Sequence, residues 1–374
     1  MTLKRRVLPL LAAAGALSAC GPSHGAPVGT PAAPKPSPTP TASPTPATHL
    51  PLIGVLDHPF GAAPNTLRLF RVDGGGEVAH VSIDPDAEAV TTSGSQVLVA
   101  GSGQLRALAP DGSVVALVSF PGSGAELVRG LAGDPSGTSW LWAMVGQSGT
   151  VATSKVYLGS PTSTPTVVLT STAQGKAMQP LAWTAGGPVV SDEPLGIGGY
   201  VLFRRTFGSA GLLDMASRTV KPLTDTSCAF SDMAADGSVA CVLNGREAPN
   251  NGGVVTLRVM RPGRPALNVP LAPSVAQAGA ALFSPDGTTL SLATSPALGE
   301  GQEQVTMELV DVATGAHHAF GPAGLMPVAW LPDGRLLAVR LPGVAGGDVG
   351  TYVVDSGGTA TLISTASTVV GVCR

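Results

Sequence analysis

The sequence predicts an all-β fold, a single β-propeller of four-stranded blades. Three observations lead there: a turn that returns every 43 to 50 residues, two hairpins in each interval, and chain ends that complement one another. The turn is clearest in "ALFSPDGTTLSLAT" (281–294) and "VAWLPDGRLLAVRL" (328–341), and fainter in "SDMAADGSVACVL" (231–243). Each has an apolar run, a turn, and then alternating apolar and polar residues. Gly237, Gly287 and Gly334 end these turns, and weaker versions end at Gly187, Gly137 and Gly94. A period near 40 to 50 belongs to propeller blades or to two-helix solenoids. Composition chooses the blade: the segments are short, Val-, Leu- and Thr-rich, and punctuated by Gly, Pro and Asp, with no sustained helical spacing. Pro285 and Pro332 preset the backbone angle of the turn, Asp286 and Asp333 accept a turn hydrogen bond, and Gly287 and Gly334 take the positive φ that closes it.

Between successive turns lies a second hairpin. In chain order these read "QLRALAPDGSVVALV", "KVYLGSPTSTPTVVLT", "YVLFRRTFGSAGLLDMASRTVKPL", "VTLRVMRPGRPALNVPL", "VTMELVDVATGAHHAF" and "TYVVDSGGTATLIS". Four strands per period make one blade. At the start, "LPLIGVLDHP", "TLRLFRVDGGG" and "EVAHVSI" supply three strands, and "STVVGVCR" supplies a single strand at the end. Three and one complete a blade from both termini, which gives seven blades and no free sheet edge between first and last. The early periods are faint, so rings of six or eight also fit the spacing. On "FSPDG", "WLPDG" and "VDVATGAHHAF", residues 50–374 resemble bacterial TolB-type propellers and the wider tryptophan–aspartate repeat class. TolB-type proteins carry an N-terminal α/β domain where this chain has a tether, so their partner binding is not carried over.

Ahead of the repeats stands "MTLKRRVLPLLAAAGALSACG". Lys4, Arg5 and Arg6 precede an 11-residue apolar stretch, 7–17, and small residues follow, the pattern of a secretory signal. As a helix, eleven residues rise only about 16 Å, too little for a hydrocarbon core of roughly 30 Å. Leu17-Ser18-Ala19-Cys20 resembles the lipobox of bacterial lipoproteins, which implies cleavage after residue 19 and acylation of Cys20. The alternative is an ordinary cleaved signal with a chance cysteine. Residues 20–49 then form a Pro/Ser/Thr-rich tether, too poor in apolar residues for a core and, fully extended, on the order of 90 Å long. Within it "GPSHG" matches a nucleophile-elbow pattern but lacks the strand-turn-helix context that would activate Ser23.

Composition narrows the function. The chain has 374 residues, 12% charged, with formal charge −3; loss of residues 1–19 removes three basic residues and no acidic ones, giving −6. No basic stripe suits nucleic acid. The expected partners are the membrane, through the lipid, and an unidentified protein or envelope component, with the chain monomeric and no cofactor. Of the remaining cysteines, Cys228 and Cys241 flank one turn. Turn symmetry sets Ser231 opposite Cys241, so a disulfide needs a shift or bulge of about three residues; linked and free forms both stay open. Cys373 lies on the closing strand.

Other candidates weigh toward structure. Trp183, Met233, Phe283 and Trp330 recur just before the turns, as inter-blade packing or as an aromatic track. His317 and His318, adjacent on a strand, point to opposite faces and poorly chelate one ion. Asp84, Asp86 and Glu88 ("DPDAE") lack the spacing of a calcium loop, and Asp57-His58 lies in a separate loop. The late second-to-third-strand connections are long and Gly-rich, and Arg246, Glu247, Asn250, Glu300, Glu303 and Asp348 on them are the expected binding face. The function read from these features is a tethered, non-catalytic binding propeller. The alternative is an extracytoplasmic propeller enzyme of lactonase, quinoprotein or glycan-acting type.

Overall fold

The computed structural model describes residues 51–58, 65–83, 87–101, 103–120, 126–195, 203, 206–243, 253–296 and 304–373. Every described element is a strand, and the 28 strands form seven four-stranded antiparallel sheets. Blade 1 combines β1 (Leu52–Leu56), β2 (Asn65–Arg71) and β3 (Glu77–Ile83) with the last strand, β28 (Thr368–Cys373). Blade 2 is β4 (Ala87–Ser93), β5 (Gln96–Gly101), β6 (Gln104–Leu108) and β7 (Val114–Ser119); blade 3 is β8 (Glu126–Gly133), β9 (Trp140–Ser148), β10 (Val151–Ser160) and β11 (Ser163–Gln174). Blade 4 comprises β12 (Lys176–Thr184), β13 (Gly187–Pro194), β14 (Ala210–Asp214) and β15 (Thr219–Thr224). Blade 5 comprises β16 (Cys228–Met233), β17 (Val239–Leu243), β18 (Thr256–Met260) and β19 (Leu267–Pro270). Blade 6 holds β20 (Gln277–Phe283), β21 (Thr289–Ser295), β22 (Thr306–Asp311) and β23 (His317–Ala319). Blade 7 holds β24 (Met326–Trp330), β25 (Leu336–Arg340), β26 (Gly350–Val354) and β27 (Ala360–Ser364).

The ring closes as the ends predict. β28 pairs antiparallel with β1, from Leu52↔Cys373 to Leu56↔Thr368. The count is seven, so the rings of six and eight are excluded. The hairpin expected within 200–223 forms from β14 and β15, beginning at Ala210.

Blade faces supply the core. Along a strand, alternate side chains point to opposite faces, and a blade inside the ring has a neighbour on each. In β9, Trp140, Trp142 and Met144 pack toward blade 2 with Leu98, Leu105 and Phe120. The alternate residues Leu141, Ala143 and Val145 pack toward blade 4 with Ala177, Val190 and Leu213. This double burial explains why "WLWAMV" is a continuous apolar run.

Hydrogen bonds pin the blades at their inner strands. Ser93 Oγ donates to Asp134 O at 3.0 Å, Met178 N to Ser154 Oγ at 3.0 Å, and Phe283 N to Asp232 Oδ2 at 3.0 Å. Trp330 Nε1 donates to Leu282 O at 2.9 Å, and Arg335 Nη1 to Val72 O at 3.2 Å across the closing joint. At Gly133 the approach is so close that a Cβ would lie 2.1 Å from Thr92 O.

The Pro-Asp-Gly turns form as the sequence dictates. Gly287 has φ 71° and Gly334 φ 84°; Gly287 N donates to Ser284 O at 2.8 Å, and Asp286 accepts from Ser284 Oγ and Thr288 N.

Cys228 and Cys241 are disulfide-linked, with Cα atoms 5.4 Å apart. The expected register needs correction. Phe230, not Ser231, lies opposite Cys241, and the bulge falls between Phe230 and Asp232. Ser231 is the extra residue, which leaves Cys228 two positions along the same face, at diagonal distance. Cys373 is buried and free.

Candidate functional site

The seven inner strands line a central channel of about 490 Å³. Its wall comes from Thr91 and Thr92 on β4, Leu131 and Gly133 on β8, Leu181 to Trp183 on β12 and Ser231 on β16. Ala280 and Leu282 on β20, Met326 to Trp330 on β24 and Val370 to Val372 on β28 complete it. No charged residue is among these.

One end is filled. Phe203, from the connection between β13 and β14, is buried at 6% exposure and packs with Ala293, Val305 and Val344, beside Ala280 and Met326. It crosses from blade 4 to blade 6, and a Cβ at Gly279 would lie 2.6 Å from its carbonyl oxygen. Phe203 thus plugs this end.

The other end widens into a space of about 470 Å³ that shares Trp183, Leu282, Val328, Ala329 and Trp330 with the channel. Here the four recurrent positions divide. Met233 and Phe283 are 2% and 7% exposed, as inter-blade packing requires. Trp183 and Trp330 are only half-buried, so they pack against their blades and also flank the opening. The lining adds Asp232, Asp236 and Asp286 and, among the described residues, includes no Lys or Arg. The whole forms a blind funnel with an apolar stem, two indoles at the neck and carboxylates at the rim.

The rim belongs to the face where each blade's first-to-second and third-to-fourth strand turns lie. Asp111, Asp214, Asp286 and Asp311 there are held below the ordinary carboxylate range, first by the hydroxyls of Ser113, Ser217, Ser284 and Thr314 and then by turn N–H groups. Arg335 does the same for Asp333. These carboxylates are ionised turn caps. Leu52, where β1 begins beside Cys373, stands on this face too.

Of the expected binding loops only 342–350 is described, and it lies on the opposite face. Arg246, Glu247, Asn250, Glu300 and Glu303 fall outside the described residues, as do Cys20, Asp84, Asp86 and the Glu88 side chain. Asp348 is described: its carbonyl accepts from Tyr352 Oη at 2.6 Å and from the buried Arg340 at 3.2 Å. His317 Nδ1 lies 2.6 Å from Glu308 Oε2, His318 is exposed, and Asp57 forms a two-point pair with Arg68. Among the described residues no group of three or more His, Cys, Asp or Glu is placed to hold a metal ion. Sequence reasoning missed the funnel because it treated the four pre-turn residues as equivalent. Their own contrast was the available signal, since two indoles stand where the neighbouring blades use Met and Phe.

No family model and no curated protein matches the chain. Among solved structures it is similar to the acylaminoacyl peptidase of Pyrococcus horikoshii, at 10% identity and TM-score 0.51, over 84% of this chain and 50% of that one. It is also similar to TolB from Acinetobacter baumannii (13% identity, 86% and 82% covered, TM-score 0.43) and to oligogalacturonate lyase from Vibrio parahaemolyticus (10%, 81% and 90%, 0.44). At these identities the likeness is one of fold, and the fold is a seven-bladed β-propeller. The same scaffold serves unrelated functions, so it assigns none.

Proposed function

We propose that the chain is a membrane-anchored, extracytoplasmic binding module, monomeric and non-catalytic, whose propeller recognises a protein or an envelope component. In this reading residues 1–19 direct export, Cys20 carries the lipid, 20–49 form the spacer, and 50–374 present the binding surface. The observation that carries it is the funnel: an apolar stem with two half-buried indoles at its neck. Concave apolar sites with a few polar groups at the edge are where rigid scaffolds bind ligands, and Trp is enriched at binding hot spots.

The test has two parts. Cys20→Ser should abolish incorporation of labelled fatty acid and release the chain from the membrane fraction; continued sedimentation with membranes would refute the anchor. A photo-crosslinking residue at position 282 or 328, on the intact chain in its native envelope, should capture a discrete adduct. The same probe at position 348, on the opposite face in the connection between β25 and β26, should not. Adducts at 348 alone would return the site to the loops expected from the sequence.

A further inference from the structure

The rim carries information about the occupant. Asp236 accepts from Ser238 N at 2.8 Å and Ser238 Oγ at 3.0 Å. Asp286 accepts from Ser284 Oγ at 2.6 Å, Thr288 N at 3.1 Å and Thr288 Oγ1 at 2.9 Å. Among the described residues, the donors to both carboxylates are neutral groups of their own turns. The hydroxyls beside Asp286 keep it ionised well below neutral pH. These two carboxylates place negative charge over an apolar stem whose described lining includes no cation. A hydroxyl fixes a carboxylate without neutralising it, so Asp236 and Asp286 keep their negative charge toward anything entering. The indole faces of Trp183 and Trp330 add to this, because an aromatic face attracts a cation.

Resting on the funnel reading above, we propose that the partner is a basic, extended protein segment. One of its apolar side chains enters the stem, and a flanking Lys or Arg lies against Asp236, Asp286 and the indoles. Charge complementarity of this kind sets partner choice and association rate more than total affinity. It excludes acidic segments, whose carboxylates would face like charge at the rim.

The experiment selects a random heptapeptide phage library on the immobilised full-length chain, then measures binding of the enriched peptides as synthetic, labelled probes. Enrichment of peptides with Lys or Arg within two residues of a large apolar residue is the expected result. Their affinity should fall at least fivefold in the Asp236→Asn/Asp286→Asn double variant, which keeps the turn-capping oxygens, and fall likewise between 50 mM and 500 mM salt. Leu282→Lys, which puts a cation in the stem, should abolish binding, with an unchanged melting temperature establishing that the variant folds. Acidic or charge-neutral winners that still lose binding in Leu282→Lys overturn the basic-partner inference and leave the funnel reading standing. Winners indifferent to Leu282→Lys overturn both.

Discussion

Asp57 and Arg68 show how a surface pair acts on stability. Arg68 donates to both carboxylate oxygens of Asp57, at 2.6 and 2.9 Å, and to Glu77 at 2.7 Å. The guanidinium bonds hold both carboxyls below their ordinary range. A group whose pKa is depressed on folding stabilises the folded state above its unfolded pKa, roughly 4 for carboxylates, and that contribution disappears as pH falls through the lower folded value. Arg68→Met should therefore lower the melting temperature at pH 7 and narrow its deficit toward pH 3. A deficit that does not change with pH would assign the effect to packing.

Trp140 sets two residue-scale effects against each other. The side chain is 1% exposed, and its indole N–H is without an acceptor among the described residues. An orphaned buried donor costs about 1–3 kcal/mol, comparable to what trimming an indole to a phenyl loses in packing. Trp140→Phe should then sit within about 1 kcal/mol of the parent in urea unfolding. Leu141→Ala, one residue on and 0% exposed, should cost about 2–5 kcal/mol because nothing offsets its cavity.

At the scale of the element, the β16–β17 hairpin is a stapled unit. Its disulfide closes a sequence separation of 13 residues, for which chain entropy gives about 3 kcal/mol. The double variant Cys228→Ala/Cys241→Ala should unfold at distinctly lower temperature, read by calorimetry. Thiol labelling of the parent under native conditions should find none of the three cysteines, since burial pushes the Cys373 thiol up to about 12. The pairing itself was legible as a possibility but not as a register. A one-residue bulge at Ser231 moves Cys241 relative to Cys228, and bulges leave no mark in alternation. "SPDG" and "LPDG" were legible because each turn residue has its own steric reason to be there. The role of Phe203 was not, since an apolar residue that packs between blades and one that plugs a channel look alike in sequence.

At the scale of the whole molecule, the ring was legible from rhythm and from the three-plus-one arithmetic of the ends. The site was only partly so. Inner-strand positions are recognisable once the blades are aligned, but which end of the channel is filled depends on Phe203 reaching across from blade 4 to blade 6, a contact between residues 76 positions apart in the chain (203 and 279). Removing residues 368–374 takes away the inner strand of blade 1 and leaves β1 with a bare edge. That truncation should turn a cooperative transition into early, broad unfolding with dye binding to exposed apolar surface. A sharp, unshifted transition would mean that blades 2 to 7 hold together without the joint.

The joint also orders events in time. Because β28 follows the other strands in the chain and pairs with the first, blade 1 stays incomplete until β28 has emerged. Until then β1 keeps one edge without its partner strand. The finished shape is thereby deferred to one late pairing, between the two most widely separated strands of the ring.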